Sequence, residues 1–404
     1  MSGSEFTVAC IGLGHRLAQV ALHLTQAAPE VRLAAYFDPA PTGLARLQRH
    51  GIDPERHADA GSMLAAVKPD AVMIGSPNHL HLEHIRLALA SAARIFCEKP
   101  VVRTEDESFA LAELLAQLPE DRLIVGLVLR ALPVVKEALA QVRSGGLGVV
   151  TSFEASEHLH PEHGGFLRRD WRRYRRYAGS YLLDKCCHDL DLLNALADAR
   201  PRRVASFAAN RIFTAGREQS ADPTHYRAWR AGWEGGERIF DSDADTADVQ
   251  TLMLEYENGV IGTFHTNSHV DPPRRAWFVA GTAAAMDVDL RNATLHLRQA
   301  RLGGSSAEDG GRADLIHRFD SGGPRDHHGA DPAMARDLMA AWRDTAPFPV
   351  SAREALVAGL TVMAADEAAA TGSLVDMTPT WKRFDAVLPP LPDLRLPVGP
   401  EPLS

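Results

Sequence analysis

Arg94-Ile95-Phe96-Cys97-Glu98-Lys99-Pro100 places an ionisable pair at the end of an apolar run. Proline has no backbone N–H and a fixed φ, so the strand predicted over Arg94–Cys97 must end there. Strand and helix patterns alternate before this point, from Phe6 onward, which is typical of a parallel sheet. Lys99 is therefore predicted at the carboxyl edge of that sheet, where open α/β sheets bind ligands. Taken alone, the pair would be interpreted as a solvated ion pair in a turn.

A glycine turn follows the first predicted strand, Phe6–Ile11, and a helix pattern follows the turn Gly12-Leu13-Gly14. Gly12 permits the tight turn, and Gly14 lets the backbone approach a pyrophosphate at the helix N-terminus. Leu17 stands where the dinucleotide fingerprint has its third glycine, so we expect looser packing of helix on strand. The candidate cofactor contacts in this segment are Gly12, Gly14, His15 and Arg16.

The second predicted strand, Val31–Phe37, closes with Asp38. A carboxylate at this position accepts hydrogen bonds from a ribose 2′-hydroxyl and repels a 2′-phosphate. Residues 39–43 contain no Arg or Lys that would bind that phosphate. Asp38 is also the first residue of an Asp-Pro turn. The pattern predicts NAD as cofactor, with NADP less favoured.

The next strand, Ala71–Ile74, ends at Gly75-Ser76-Pro77-Asn78, and the helix after it contains His79, His81 and His84. Histidines in the first turn of a helix are more often caps or solvent contacts than metal ligands, so we predict no metal site. A last strand over 122–127 completes a five- or six-stranded doubly wound domain near residue 130.

Longer alternating strands without helices between them begin at residue 149, and they predict a mostly antiparallel sheet. They lie at 149–157, 203–210, 247–256, 260–268, 275–279 and 285–289. Helices are predicted at 133–144, 333–343 and 352–370, and a surface loop at 301–325. We expect helices on one face of this sheet and an open face that binds a partner subunit. The expected domains are 1–130, 131–375 and a Pro-rich C-terminal arm, 376–404.

Composition limits the classes of function. The chain has 404 residues, a formal charge of -9 and 45% hydrophobic residues, which predicts two domains and argues against a general nucleic-acid binder. Its four cysteines give no disulfide or zinc framework. No targeting or membrane-spanning segment is recognised, so a cytoplasmic location is expected.

A second group of ionisable residues lies in the helix predicted from Tyr181. Asp184, His188 and Asp191 are spaced i, i+4, i+7 and share one helix face, where a carboxylate can hold an imidazole in one tautomer. Spacing alone leaves two interpretations open, an acid/base site and a surface helix with charged side-chain pairs.

Together these motifs resemble the glucose-fructose oxidoreductase, inositol dehydrogenase and rhizopine-catabolism family, written Gfo/Idh/MocA. The motifs that carry the resemblance, in the family's order, are Gly12-x-Gly14, Ser76-Pro77-Asn78-x-x-His81, Glu98-Lys99-Pro100, Arg130-x-x-Pro133 and Asp184-x-x-x-His188-x-x-Asp191. The resemblance covers residues 6–195 and extends more weakly to about 375. Departures from the family pattern occur at Leu17, Ala178, Ser180 and Cys186.

The resemblance implies a Rossmann domain followed by an α+β domain with a large open-faced sheet, and it implies roles for particular residues. Lys99, Asp184 and His188 would be catalytic, with His188 as the general base. Further cofactor contacts would come from Asp38, Ser76, Pro77, Asn78, His81, Glu98 and Lys99. Substrate contacts would come from Arg130, Trp171, Asp184, Lys185 and His188.

We therefore expect an NAD(H)-dependent oxidoreductase that acts on a secondary hydroxyl of a sugar, polyol or glycoside. Removing the O–H proton as hydride leaves carbon needs a base, for which His188 is suited, and a cation for the alkoxide, for which Lys99 is suited. Two alternatives stay open: redox-neutral cleavage or elimination of a glycoside through a transient keto-sugar on bound NAD, and a non-catalytic dinucleotide-sensing regulator. The expected partners are a small carbohydrate and further copies of the chain, as a dimer or tetramer, with no nucleic acid or membrane.

Two short segments bear on the substrate. Six arginines crowd residues 168–176 around Trp171, which suggests an anionic or glycosidic substrate with the indole stacked on a sugar. A solvated basic loop and a nucleic-acid contact are the alternatives. His158, His160 and His163 lie just before this stretch as a polar pocket lip or, less favoured, a metal site.

Overall fold

The computed structural model describes residues 5–218, 226, 239–300, 315–320 and 324–389. Most of the predicted loop 301–325 and the end of the predicted C-terminal arm, 390–404, lie outside the described residues.

The first domain is a parallel six-stranded sheet with the order β3-β2-β1-β4-β5-β6. Its elements are β1 (Phe6–Ile11), α1 (His15–Ala27), β2 (Val31–Phe37), α2 (Leu44–Gln48), β3 (Glu55–Arg56), α3 (Ala60–Val67), β4 (Ala71–Ile74), α4 (His81–Leu89), β5 (Arg94–Cys97), α5 (Glu105–Leu115) and β6 (Leu123–Val125). The strand order reverses between β1 and β4, and this switch point is where doubly wound sheets bind ligands. The predicted Rossmann architecture is confirmed.

The second domain is built on a nine-stranded sheet with the order β14-β13-β12-β11-β7-β10-β9-β8-β15. Its strands are β7 (Val150–His158), β8 (Pro201–Ala209), β9 (Val249–Tyr256), β10 (Ile261–Asn267), β11 (Arg274–Gly281), β12 (Ala284–Asp289), β13 (Thr294–Gln299), β14 (Leu315–Arg318) and β15 (Val375–Asp376). Its helices are α6 (Pro133–Arg143), α7 (Pro161–Leu167), α8 (Arg175–Ala178), α9 (Tyr181–Ala197), α10 (Ala330–Trp342), α11 (Ala352–Thr371) and α12 (Thr378–Val387). Strands β7 and β10 pair in parallel and the other pairs are antiparallel, as predicted for a mostly antiparallel sheet.

The two faces of this sheet differ. Helices α9 and α11 pack on one face, which carries buried side chains such as Phe153, Phe264 and Trp277. Residues of the opposite face are exposed, and the apolar ones among them include Phe207, Met253, Ile261 and Phe278. The register places all four on this one face, with Phe207, Met253 and Ile261 on the neighbouring strands β8, β9 and β10, and Phe278 on β11, beyond β7. The expected open face is therefore present in the chain.

Several elements differ from the sequence prediction. The short strands β3 and β15 were not predicted, because two residues give no periodic pattern. Strand β14 lies inside the predicted loop 301–325. Helix α12 lies inside the predicted arm 376–404, and its Trp381 and Phe384 are buried against the core. Tertiary burial of these two aromatic side chains stabilises a helix in a segment that the sequence analysis assigned to the Pro-rich arm.

The end of the second domain returns to the first. Helix α10 packs on α1, and the ring of Phe6 in β1 stacks on Trp342 with centroids 5.7 Å apart. Arg16 in the first turn of α1 reaches Asp331 in the first turn of α10, with Nη1 and Oδ1 2.7 Å apart. A residue of the second domain, Asp331, thereby reaches the start of α1 at the carboxyl edge of the parallel sheet.

Candidate active site

The glycine turn after β1 has the geometry that a dinucleotide pyrophosphate needs. Gly12 has φ +80°, and an added Cβ there would lie 2.5 Å from the backbone nitrogen of Ser76. At Gly14, by contrast, no atom lies within 4 Å of an added Cβ, so the space in front of α1 is open. The first turn of α1 has no acidic side chain and no side-chain cap, which leaves its N–H groups available to an anion.

Gly75 leaves room for the side chain that replaces the third fingerprint glycine. A Cβ on Gly75 would lie 2.6 Å from Cβ of Leu17. Leu17, 1% exposed, thus packs against a glycine on the loop after β4. A glycine directly before Ser76 was the sequence signal for this compensation.

Asp38 lies at the mouth of a cavity of about 440 Å³ lined by Phe37, Asp38, Pro39, Arg56, His57 and Ala58. Its Oδ2 accepts a hydrogen bond from the Leu13 N–H at 2.5 Å, and its Oδ1 accepts one from Ala40 at 2.7 Å. Each carboxylate oxygen retains acceptor capacity for a ribose hydroxyl. Sequence reasoning missed Arg56, because this residue reaches the cavity from β3 and not from residues 39–43.

His81 braces the loops of this edge and does not present a nitrogen to a ligand. It is 1% exposed, with Nδ1 2.8 Å from the Pro100 carbonyl and Nε2 2.9 Å from the Ser76 carbonyl. Burial lowers the pKa of His81 to about 4, so the ring is neutral near pH 7 and donates to one of these carbonyls at a time. The predicted direct cofactor contact of His81 is corrected to a positioning role.

The other histidines of this region also have neighbours within the protein. His84 Nδ1 lies 2.8 Å from the Ser76 hydroxyl, and the His79 ring packs on Tyr177 with centroids 4.8 Å apart. In the part of the chain that the structure describes, no group of three or more His, Cys, Asp or Glu side chains is arranged to hold a metal ion.

Asn78 connects the loop after β4 to the start of α9, which lies about a hundred residues later in the sequence. Its Nδ2 donates to the Ala178 carbonyl at 2.8 Å and to Asp184 Oδ1 at 3.0 Å. Lys99 approaches the same turn, where its Nζ donates to the backbone carbonyl of Asp184. Lys99 and Asp184 therefore lie together at the edge of the parallel sheet, as predicted.

Helix α9 begins at Tyr181 because Ser180 caps it, its hydroxyl accepting the Leu183 N–H at 3.0 Å. The helix is almost wholly buried, so its polar side chains need partners. Four of these pairs are Asp184 with Asn78, Lys185 with Glu157, Asp189 with Arg275 and Asp191 with Arg130.

His188 differs from its neighbours on α9. It is 4% exposed, yet its buried Nδ1 has no hydrogen-bond partner among the described residues. Burial lowers the pKa of His188 well below its usual value, and the positive charges of Lys99, Arg275 and Lys185 lower this pKa further. The imidazole is therefore neutral near pH 7 and able to accept a proton.

The expectation that a carboxylate of the same helix face holds His188 is wrong. Both oxygens of Asp191 accept from Arg130, at 2.7 and 2.8 Å, and Asp184 Oδ2 lies 3.6 Å from Arg172 Nε. The i, i+4, i+7 spacing aligned these residues on one helix face. The carboxylates of Asp184 and Asp191, however, pair with arginines from other elements and not with His188.

Arg130 is likewise unavailable for its predicted substrate contact. It is 3% exposed, and its guanidinium also donates to Glu354 at 3.1 Å. A buried guanidinium with two carboxylate partners is a structural ion pair between the domains.

Arg16 and Glu98, both predicted cofactor contacts, bond to each other. Arg16 Nε donates to Glu98 Oε1 at 2.9 Å, while Nη1 donates to Asp331. Asp331 also lies 3.0 Å from His327 Nδ1. This chain of contacts connects the loop after β5 to α10, so the charge of Arg16 is largely compensated by protein carboxylates before any phosphate binds. Sequence reasoning missed His327, because its contact with Arg16, Nδ1 to Nη1 at 3.4 Å, spans 311 positions of sequence.

The arginine-rich segment 168–176 is mostly engaged inside the protein. Arg168 donates to Thr246 and Asn210, and Arg173 donates to Asp243. Trp171 is 5% exposed, and the Arg172 guanidinium lies 4.1 Å from the centroid of its ring. The indole offers little surface for a sugar, and arginines paired internally offer little to a phosphate backbone.

His163, in α7, responds to the same charges as His188. Burial lowers its pKa well below the usual value, and Lys185, Lys99 and Arg275 lower this pKa further. These three cations also lower the pKa of His188. The interpretation of His163 as part of a pocket lip stays a prediction.

Two family models match this chain. Residues 6–126 match the one described as "Oxidoreductase family, NAD-binding Rossmann fold", and residues 135–287 match the "GFO/IDH/MocA C-terminal domain". Lys99 lies within the first matched range and Asp184 within the second.

Two curated relatives and one solved structure illustrate the similarity. Rhizopine catabolism protein MocA of Rhizobium meliloti is 27% identical over 208 residues, which are 50% of this chain and 61% of that protein. Levoglucosan dehydrogenase of Pseudarthrobacter phenanthrenivorans is 28% identical over 208 residues, 49% of this chain and 50% of that protein. The alignments thus span about half to three fifths of these relatives.

The solved structure is a levoglucosan dehydrogenase in complex with NADH and levoglucosan. It superposes with a TM-score of 0.73 at 20% identity and covers 92% of this chain and 99% of its own. At this identity the superposition establishes the shared fold. No described helix is long and apolar enough to cross a bilayer.

Proposed function

Because the chain belongs to the GFO/IDH/MocA oxidoreductase family and carries its NAD-binding domain, we propose that it oxidises or reduces a secondary hydroxyl of a sugar, polyol or glycoside with NAD(H). His188 is the general base and Lys99 stabilises the alkoxide. The observation that carries this proposal is the unpartnered, buried Nδ1 of His188 on the helix that also bears Asp184.

The residues present fit a dinucleotide. Gly12 and Gly14 leave room for a pyrophosphate at the start of α1, and the cavity at Asp38 is large enough for an adenosine. When bound, NAD supplies the hydride acceptor for alcohol oxidation. Ser76 and Pro77 follow β4 at the same edge of the sheet. They would lie along the dinucleotide between its adenosine and its nicotinamide.

The protein's own groups would divide the proton chemistry between them. The neutral ring of His188 accepts the hydroxyl proton, since its low pKa keeps it unprotonated near pH 7. The Lys99 ammonium donates a hydrogen bond to the Asp184 carbonyl in the first turn of α9. It stabilises the negative charge that develops on the substrate hydroxyl oxygen. Asp184, oriented by Asn78, accepts from a neighbouring hydroxyl and fixes the substrate ring.

A panel of inositols, pyranosides, glycosides and sugar acids, incubated with NAD, tests this proposal by the appearance of NADH. We expect NADH formation with at least one compound, and formation slowed by ~10²–10⁴-fold in the His188→Ala variant. Product formation without net NADH would favour redox-neutral chemistry through a keto-sugar. NADH binding without turnover of any compound would favour a dinucleotide-sensing regulator, which needs the pocket but not the base.

We also propose that the open face of the second sheet binds another copy of the chain. Phe207 is 80% exposed and Met253 is 58% exposed on this face, and apolar patches of this kind are typical of subunit interfaces. Light scattering tests the idea: a Met253→Glu variant should dissociate an oligomer of the wild-type chain. A wild-type chain that is monomeric at all concentrations would contradict it.

A further inference from the structure

Arg172 differs from Arg168 and Arg173 in the same arginine-rich segment. Those two donate to protein oxygens, of Thr246 and Asp243 respectively. The Arg172 guanidinium carries five N–H donors, yet it makes no hydrogen bond to any described residue. Its side chain is 23% exposed, so these donors are accessible to a ligand.

Two aromatic rings hold the Arg172 guanidinium in place. Its Cζ lies 4.4 Å from the centroid of the Phe166 ring and 4.1 Å from that of the Trp171 ring. Aromatic contacts of this kind are made by the faces of the guanidinium, whereas its N–H donors point outward in its plane. Stacking therefore orders Arg172 without using its hydrogen-bonding capacity.

The Arg172 guanidinium lies beside the carboxylate of Asp184. Arg172 Nε is 3.6 Å from Asp184 Oδ2, which is beyond hydrogen-bonding distance. Asp184 itself is held by other residues, since its Oδ1 accepts from Asn78 at 3.0 Å and its backbone carbonyl accepts from Lys99. Oδ2 accepts no hydrogen bond from a described residue. An acceptor and a donor thus lie side by side, unbonded to each other, at the residue that Lys99 contacts.

A hydroxyl group matches this pair because it donates one hydrogen bond and accepts another. A hydroxyl oxygen about 2.7 Å from Oδ2 and about 2.9 Å from the guanidinium nitrogen would bridge the gap of 3.6 Å. The charges of Arg172 and Asp184 balance each other, so the ligand group needs no charge of its own. A carboxylate at this position would be repelled by Asp184, and an ether oxygen has no proton to donate.

We propose that Arg172 is a specificity-determining residue of this site, and that it donates to the same substrate hydroxyl that donates to Asp184. This inference rests on the proposed function, because it refines the substrate of the same site. The substrate must then carry a free hydroxyl beside the one that is oxidised at Lys99 and His188. Compounds that are deoxygenated or alkylated at this second position are excluded.

Calorimetric titration of the NADH complex tests the inference with myo-inositol, methyl β-D-glucopyranoside and methyl β-D-galactopyranoside, each beside its monodeoxy forms. We expect at least one parent compound to bind, and one of its monodeoxy forms to bind about 10- to 100-fold more weakly. In Arg172→Met the parent should bind about tenfold more weakly than in wild type. The penalty for that same deoxy form should shrink by about fivefold or more, because the hydrogen bond from Arg172 is already absent.

Arg176→Met is the matched control. Arg176 is also stacked, 4.5 and 4.9 Å from the centroids of the Tyr174 and Tyr177 rings, but none of its described contacts is with Asp184. This variant should leave the affinity for the parent and the deoxy penalty within about twofold of wild type. Arg172→Lys keeps the charge but not the planar set of donors, so it should recover only part of the affinity.

Circular dichroism and NADH affinity verify that each variant folds, and Arg172→Gln replaces Arg172→Met if the latter does not. Unchanged affinity for the parent in Arg172→Met would overturn the inference. An equal loss for the parent and all its monodeoxy forms would also overturn it, because such a loss indicates a purely structural role. The absence of binding by every parent compound would overturn it as well.

These outcomes are separable from failure of the proposed function. A parent compound that Arg172→Met binds and oxidises as well as wild type would overturn only the role of Arg172. Binding of a parent compound that depends on Arg172 but never yields NADH would overturn only the dehydrogenase activity.

Discussion

Two buried histidines occupy the two sides of this site, one in the loop and helix start 76–84 and one in α9. His81 and His188 are 1% and 4% exposed, and burial lowers the pKa of each. Both ring nitrogens of His81 face backbone carbonyls, whereas Nδ1 of His188 has no partner among the described residues. The fold therefore places a backbone acceptor at each nitrogen of His81, but it leaves a nitrogen of His188 available to a ligand.

The difference teaches that burial and a low pKa do not by themselves identify a catalytic histidine. The same two properties belong to a histidine that braces loops. Spare hydrogen-bonding capacity in the buried ring separates His188 from His81, and it points to function here because His188 lies on the helix whose first turn contacts Lys99 and Asn78.

The largest effect is expected at His188. His188→Ala should lower the rate of alcohol oxidation by ~10²–10⁴-fold at neutral pH, since the base is removed. NADH affinity and the unfolding midpoint should change little. Steady-state kinetics beside NADH titration and thermal unfolding measure this, and a variant with near-normal turnover would show that the unpartnered nitrogen is not the base.

The pH profile of the wild-type enzyme belongs to the same test. Because the pKa of His188 is lowered well below 6.5, the ring stays neutral as pH falls through that value. The oxidation rate should therefore hold from neutral pH to below pH 6.5 and fall only in more acid solution. A decline centred at pH 6.5 or above would contradict the assignment.

Lys99→Met should also slow oxidation strongly, by ~10²–10³-fold, through loss of the charge that stabilises the alkoxide. Unlike His188→Ala, it should weaken NADH binding as well, because Lys99 lies at the strand end between the expected nicotinamide and substrate. Identical binding in the two variants would show that Lys99 acts on the substrate alone.

We expect His81 to make the free energy of unfolding depend on pH. Its pKa is about 4 in the folded protein against 6.5 as the ordinary value, so between these values the unfolded chain binds a proton that the folded protein does not. Stability should fall as pH is lowered through this window, by a total of about 3 kcal/mol from this residue. Denaturant unfolding of wild type and His81→Gln between pH 7 and 4 measures the difference in slope. Equal pH dependence of the free energy of unfolding in wild type and variant would show that His81 does not have a lowered pKa in the folded protein.

The smallest expected effect is at Asp38, whose oxygens, like the nitrogens of His81, are already bonded to the backbone. Asp38→Ala should weaken NADH binding by roughly 1–3 kcal/mol and narrow the gap to NADPH, because a charged acceptor and its repulsion of a 2′-phosphate are lost. Arg56→Ala is the matched change in the same cavity, and we expect it to weaken NADPH binding more than NADH binding. Unchanged affinities for both dinucleotides in Asp38→Ala would contradict the assignment of Asp38.

Much of this protein was determined by local sequence. Apolar runs closed by Gly12, Asp38, Ser76 and Pro100 predicted the parallel strands and hence one common edge, since every parallel strand ends on the same side of the sheet. Local sequence also positioned Lys99 and Asp184. Lys99 lies where Pro100 ends strand β5, and Asp184 lies in the first turn of α9, which begins at the Ser180 cap.

Other features were decided by the tertiary structure alone. Arg130 and Arg16 had the charge of ligand-binding residues, but Asp191 and Asp331 bind them across 61 and 315 positions of sequence. Local pattern carries no information about which distant carboxylate reaches a given cation. The same holds for Gly75 opposite Leu17. Sequence periodicity determines which face of an element a side chain occupies, whereas the packing of separate elements decides what that face meets.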